Sequence, residues 1–254
     1  MIDLYYFPSP NTWKASIMLE ECGLPYRLCL VDITNNEQLA SYFQAISPNG
    51  RVPAIVDHDA NGGTQSVFES GAILVYLAEK TGRFLPPAGP GRIAAMEWLF
   101  WQMGGLGPMA GQAHHFMRYK AKGNDYAVQR YRGEVARLYG VMDQRLQARE
   151  WIAGEYGIAD MACWGWVWFH RMHGQSLDHF PHVSRWFFTM AQRPAVKRAR
   201  ALAVDRLPES VQAIFAGPFY QGDADEGAQD SYVPSAHETG VGGAKSMAEQ
   251  GKDS

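Results

Sequence analysis

The sequence predicts an α/β domain over residues 1–85 followed by an all-α helical-bundle domain over residues 93–215. Three observations predict it. Strand-like and helix-like runs alternate through the first 85 residues, the run Pro86-Pro87-Ala88-Gly89-Pro90-Gly91 interrupts the chain, and no strand signal survives from Arg92 to about Val204.

Ile2–Phe7 is a short β-rich run. Asn11 then stands as the N-cap of a helix reaching about Glu21, stopped by Gly23 and Pro25. Tyr26–Val31 reads as a second strand, and Glu37–Ala45 as a helix closed by Ser47-Pro48-Asn49-Gly50. Pro53–Asp57 and Ser66–Phe68 are strand-length runs joined by the turn Asp59-Ala60-Asn61-Gly62-Gly63. Glu69–Lys80 is a helix with Ile73, Leu74 and Leu77 on one face, ending at Gly82. This β-α-β-α-β-β-α order implies a mixed sheet with covering helices. Residues 86–92 hold neither a helix nor a ladder and form the linker. Beyond them, periodic segments such as Tyr126–Arg149 build the bundle. After about Phe215 the chain turns to Gly, Ser, Asp and Glu, and residues 216–254 are expected to be a disordered tail, either plainly solvated or packed near a site.

Composition excludes several function classes. With 254 residues, 46% hydrophobic and 19% charged, the chain can bury a real core. A net charge of −3 argues against nucleic acid as a main partner. The longest apolar stretch, around Ala162–Phe169, falls short of the roughly 18 residues of a membrane span. Met1–Tyr6 lacks the basic and apolar segments of a secretory signal, so a cytoplasmic protein is expected. Cys22, Cys29 and Cys163 lack CxxC spacing, which suits a reducing compartment and excludes both a disulfide framework and a Cys-based zinc site; no metal is expected. Residues 1–92 carry 6 basic and 9 acidic side chains, net −3, whereas residues 93–215 carry 15 and 10, net +5.

Three motifs carry the chemistry. Pro8-Ser9-Pro10-Asn11 places a hydroxyl and a carboxamide at a helix N-terminus, where unpaired N–H groups favour an anion, a phosphate or a thiolate. Alone, such a pair commonly does no more than cap the helix. In Asn49-Gly50-Arg51-Val52-Pro53-Ala54 a proline opens a strand; a cis Val52-Pro53 bond would turn the Val52 N–H and C=O outward toward a peptide-like ligand, a trans bond would make an ordinary strand start. Phe68-Glu69-Ser70-Gly71-Ala72-Ile73 supplies an acid, a hydroxyl and helix-start amides, enough to hold an amino-acid headgroup or simply to start a helix.

In this order and spacing the motifs resemble the glutathione transferase superfamily over about residues 1–205. The sequence is especially similar to the nu class, the bacterial disulfide-reductase branch. The matching stretches include Ser9-Pro10-Asn11, Ile46-Ser47-Pro48-Asn49, Val52-Pro53-Ala54-Ile55-Val56-Asp57-His58, Phe68-Glu69-Ser70-Gly71-Ala72-Ile73-Leu74 and Tyr76-Leu77-Ala78-Glu79-Lys80-Thr81-Gly82. In the second domain they are His114-His115-Phe116, Arg130-Tyr131, Arg137-Leu138-Tyr139 and Ile158-Ala159-Asp160-Met161-Ala162-Cys163-Trp164. The resemblance implies a thioredoxin-like first domain, glutathione as cosubstrate, and a homodimer. It places Asn11 and Ser9 at the glutathione sulfur, Val52 on the cysteinyl backbone with Pro53 cis, and Glu69 and Ser70 on the γ-glutamyl end. Gln38 falls at the glycyl end, and Arg130 where the partner subunit contributes a basic residue. One departure stands out: Gly157 replaces the usual hydroxyl cap of the helix beginning near Ile158, leaving Asp160 without its reciprocal partner.

The chemistry follows from thiol physics. A free thiol has a pKa of about 8.5, and hydrogen bonds from Ser9, Asn11 and helix amides would favour its thiolate. No cysteine lies at Pro8–Thr12, so glutathione must supply the sulfur. Tyr5 and Tyr6 are rival activators, of which strand alternation points only one toward the ligand. His114, His115, Phe116, Trp164 and Trp168 line a substrate pocket or belong to the core. The expected activity is glutathione-dependent disulfide reduction or transfer on a small hydrophobic or disulfide substrate. The alternatives are a glutathione-dependent aryl-ether lyase or dehalogenase, and a glutathione-binding regulatory protein without turnover.

Overall fold

The apolar run at the N-terminus becomes an inner strand of the sheet. In the computed structural model, β1 (Ile2–Tyr6) pairs in parallel with β2 (Tyr26–Leu30) and antiparallel with β3 (Ala54–Ala60), while β4 (Gly63–Phe68) forms the far edge. The order is β2-β1-β3-β4. A parallel pair needs a crossover, which α1 (Pro10–Cys22) supplies; the antiparallel pair β3–β4 needs only a hairpin, turned at Asn61-Gly62 with Gly62 at φ 98°. The model describes residues 1–207 and residue 212, all within one compact unit. The expected tail at 216–254 lies outside the described residues.

α1 begins one step earlier than its expected cap. Ser9, not Asn11, is the N-cap: its Oγ accepts from the Thr12 N–H (3.2 Å) and the Thr12 hydroxyl accepts from the Ser9 N–H (2.9 Å). The reason is Pro10. A proline sits at low cost in the first helical turn and holds the residue before it extended, which is the cap conformation. The expected helix over Glu37–Ala45 is broken into a short turn, Glu37–Leu39, and a four-residue α2 (Ser41–Gln44), interrupted by extended Ala40.

α3 (Ser70–Thr81) lays Ile73, Leu74 and Leu77 against Leu4, Ile55 and the buried face of α1. The Pro/Gly run does hold a helix: α4 (Gly89–Trp101) starts inside it, because Pro90 falls in the first turn, where its missing N–H is no loss. A π-helical turn (Gln102–Leu106), α5 (Gly107–His114) and a second π-helical turn (His115–Tyr119) continue the same rod. α6 (Asp125–Leu146), α7 (Ile158–Trp168), α8 (Pro181–Gln192) and α9 (Pro194–Ala201) complete the helical part. α7 is apolar nearly all round and is therefore the buried one. It packs directly on α1, and only a glycine fits where they cross: a Cβ on Gly165 would stand 2.6 Å from the Pro10 carbonyl oxygen. The expected fold class, a thioredoxin-like α/β part followed by helices, is the one observed.

Candidate active site

The site gathers where β1 ends, where the loop at Val52-Pro53 enters β3, and where α1 and α3 begin. Asn11 is the second residue of α1 and half-buried. Its Oδ1 accepts from the indole Nε1 of Trp166 on α7 (3.1 Å). An indole nitrogen only donates, so this bond fixes which way the carboxamide faces and leaves Asn11 Nδ2 as an outward donor beside the α1 N-terminus. Ser9 is more committed, since one lone pair serves the Thr12 N–H and its hydroxyl also lies 3.1 Å from Thr12 Oγ1.

The Val52-Pro53 bond is cis, as the resemblance implies. Val52 packs near Phe7, so the loop closes against the segment leading into α1. Its N–H and C=O pair with no other group among the described residues. The β3–β4 register, Ala54 opposite Phe68, carries Pro53 alongside Glu69. Glu69 is held at φ 68°, ψ 118°, a conformation rare for any residue with a Cβ and one that persists where the surroundings over-determine it. Its carboxylate accepts from Asn49 Nδ2 (3.1 Å), which ties the cis-proline loop to the start of α3. Ser70, the first residue of α3, is 4% exposed and accepts from Lys14 Nζ (3.3 Å). Gln38 lies beside the same loop: a Cβ on Gly50 would stand 3.3 Å from its carbonyl oxygen.

Seven of the eight expected residues therefore collect around one loop and two helix starts. Arg130 does not join them within one chain. It is exposed on α6, and no contact links it to the others.

Residues 8–80 match the family model for the glutathione S-transferase N-terminal domain, and residues 107–194 that for its C-terminal domain. The chain belongs to the glutathione S-transferase family. It is 49% identical over 202 residues to the disulfide-bond oxidoreductase YfcG of Escherichia coli, covering 78% of this chain and 94% of that one. Among solved structures it superposes on a glutathione transferase family member from Pseudomonas fluorescens with two glutathione bound, at TM-score 0.75 and 41% identity, over 78% of this chain and 92% of that one. A glutathione transferase from Pseudomonas putida, with one glutathione disulfide bound per subunit, gives TM-score 0.75 and 40% identity over 79% and 91%.

The two tyrosines weighed as rival activators are poorly placed for that role. Tyr6 is fully buried in the core, and Tyr5, on the other sheet face, packs on Phe43 with ring centroids 5.8 Å apart. Burial pushes both hydroxyls above their ordinary pKa. Of the five aromatic candidates, Trp164 and Trp168 are core, His115 is exposed, and His114 and Phe116 are half-buried. Trp166, two residues from each tryptophan, is the one that faces Asn11. The cysteines divide: Cys163 is buried, whereas Cys22 and Cys29 are only half-buried. Among the described residues no group of three or more His, Cys, Asp or Glu stands ready for a metal, and no helix is long and apolar enough to cross a membrane.

Sequence reasoning missed four residues that build the site: Trp166, Lys14, Asn49 and Thr12. Thr12 was legible, because a hydroxyl three residues after Ser9 is capping-box spacing. The other three depend on partners remote in sequence.

Proposed function

We propose that this protein is a glutathione-dependent disulfide oxidoreductase of the transferase family, with Asn11 as the principal donor to the glutathione sulfur and Ser9 as its helper. The observation that carries this reading is the Trp166–Asn11 bond, which leaves an oriented N–H donor at the α1 N-terminus. Such a donor favours a thiolate over a thiol. In this reading Val52 pairs with the cysteinyl backbone beside cis Pro53, Glu69 and Ser70 hold the γ-glutamyl end, and Gln38 serves the glycyl end.

The thiolate attacks one sulfur of a disulfide; the S–S bond breaks, a mixed glutathione disulfide forms, and the second sulfur leaves as a thiolate that takes up a proton. A second glutathione thiolate attacks the mixed disulfide and releases the other thiol together with glutathione disulfide. Two glutathiones are oxidised and one disulfide is reduced, so no further reductant is needed. The name of the Escherichia coli relative and the glutathione disulfide in the Pseudomonas putida structure support disulfide reduction over carbon-centred transfer.

The same reading has a glutathione-binding part at residues 1–85 and a helical part from residue 93, working in the cytoplasm as a homodimer. Ile93 and Phe100, seven residues apart on α4, are 62% and 67% exposed, and Phe68 is exposed on the edge strand β4. Large apolar side chains left on the surface in this way support pairing.

The test runs purified protein with glutathione against hydroxyethyl disulfide, a chlorinated aromatic and an aryl ether in parallel. Turnover should be greatest with the disulfide. It should persist in a folded Cys22→Ala/Cys29→Ala/Cys163→Ala variant, because no protein thiol takes part. Loss of all reductase activity in that variant would return the role to a protein cysteine, and turnover of the ether alone would make the protein a lyase.

A further inference from the structure

Lys14 is a charged residue where the core should be apolar. It lies in the second turn of α1, is 1% exposed, and puts an ammonium near the positive end of a helix, where the helix dipole disfavours it. Nζ donates to Gln102 Oε1 (2.6 Å) and Ser70 Oγ (3.3 Å) and approaches Met103 Sδ (3.2 Å). All three acceptors are neutral, and among the described residues no carboxylate lies within ion-pairing distance of it. An unpaired buried charge is costly. Burial pushes the Lys14 pKa down to about 7, with the Cys163 thiol on α7 and the Glu69 carboxylate before α3 acting the other way. Gln102 and Met103 of the π-helical turn carry no charge.

Its position explains the arrangement. Lys14 stands beneath the starts of α1 and α3, behind Ser70. As an ammonium, Nζ can only donate, so the Ser70 oxygen is the acceptor and keeps its own proton to give. Among the described residues that proton has only Met103 Sδ in reach, at 3.7 Å, and a thioether is a weak acceptor.

We propose that Lys14 is a positioning residue of the γ-glutamyl subsite: its ammonium occupies a Ser70 lone pair from behind, directs the Ser70 hydroxyl toward the ligand's α-carboxylate, and supplies the buried charge that this carboxylate neutralises. The inference rests on reading Ser70 as a γ-glutamyl contact. An ammonium kept only to hold the fold makes the opposite prediction on stability, because exchanging an unpaired buried charge for an apolar group of similar length is commonly neutral or stabilising.

Lys14→Met, Lys14→Gln and Ser70→Ala are compared by calorimetric titration with glutathione and with 4-aminobutyryl-Cys-Gly, the same tripeptide without its α-carboxylate. Lys14→Met should keep or raise the wild-type melting temperature. It should bind glutathione about tenfold to a hundredfold more weakly, the range for loss of charge-assisted bonding, and raise KM with little change in kcat. Toward 4-aminobutyryl-Cys-Gly it should match wild type. Equal binding of glutathione by Lys14→Met and wild type, or equal weakening toward both tripeptides, overturns the proposal. If Lys14→Met does not fold, Lys14→Gln is read in the same way. A measurement on the unaltered protein is independent of both: binding of S-methylglutathione, which has no thiol to ionise, should take up protons one pH unit above the Lys14 pKa. Absence of uptake overturns the charge pairing. Normal glutathione binding by Ser70→Ala would instead remove Ser70 from the site and take the underlying reading with it. A weakened Ser70→Ala beside an unaffected Lys14→Met rejects Lys14 alone.

Discussion

At the scale of single residues, the proposed mechanism makes the reacting sulfur depend on one carboxamide, Asn11, and on what holds it. Replacing Asn11 by Ala removes the donor, and a bond to a charged group is worth roughly 1.5–3 kcal/mol. Turnover should therefore fall about tenfold to a hundredfold, with a smaller change in glutathione affinity, because the bond matters chiefly to the thiolate. Trp166→Phe keeps an aromatic side chain but removes the indole N–H that orients Asn11, together with part of the ring volume. Its loss should be in the same direction and smaller, and the bound thiol should titrate at higher pH, read from thiolate ultraviolet absorbance. Unchanged turnover in Asn11→Ala would move the activating role to Ser9. Asn11 was legible because its motif is local: a carboxamide two residues after a serine, at a helix start. Trp166 was not, because its partner lies 155 residues away. The sequence shows tryptophans at 164, 166 and 168 but not which one faces α1. Lys14 was missed for a related reason. A lysine in an amphipathic helix reads as a solvated face, and only the packing of Ser70 and Gln102 around it shows that it is buried.

At the scale of elements, α7 is the helix on which the site leans, and its start is fixed by Asp160. That carboxylate is fully buried, with Oδ1 accepting from Ile152 N–H (3.0 Å) and Trp186 Nε1 (2.8 Å) and Oδ2 accepting from Gly157 N–H (3.1 Å). Asp160→Asn must turn an NH2 toward a donor on one side, which should cost about 1–3 kcal/mol in urea unfolding. Burial pushes the Asp160 pKa from its ordinary 3.8 up to about 6 against the pull of those three donors. The folded state then binds the proton more tightly than the unfolded one, so this group's contribution to stability falls as pH rises between those two values and is level above them. Asp160→Asn should remove that slope. Gly157, which the sequence presents as a weakened cap, has a packing reason instead: a Cβ there would stand 2.6 Å from the Phe84 carbonyl oxygen. Gly157→Ala should therefore destabilise by about 1–3 kcal/mol, an overpacking cost in the same direction as alanine's weaker N-capping. The strands and the long helices were legible from periodicity. What failed were starts and stops near proline: Ser9 rather than Asn11 caps α1, and α4 begins inside the Pro/Gly run, because proline reads as a breaker but is at home in a first turn.

At the scale of the whole molecule, Arg130 is the expected site residue that one chain does not bring to the others. It is exposed on α6, in the region with net charge +5, whereas the other seven candidate residues lie in the region with net charge −3. Opposite net charges favour pairing the first part of one subunit with the second part of another. Salt screens that attraction beyond about 10 Å, so the exposed apolar side chains on α4 and β4 must supply most of the affinity. If Arg130 reaches across to the partner's glutathione, Arg130→Ala should weaken glutathione binding and leave the dimer intact by sedimentation. The sequence could carry this residue only through a resemblance, since nothing local distinguishes a bridging arginine from a solvated one. A heterodimer decides the matter. Mixing an Asn11→Ala subunit with an Arg130→Ala subunit places both defects in one of the two shared sites and leaves the other with Asn11 and Arg130 both present. That site should turn over at the wild-type rate, giving the purified heterodimer about half the wild-type activity. If each site instead behaves like one or the other single variant, Arg130 acts within its own chain and the shared site is wrong.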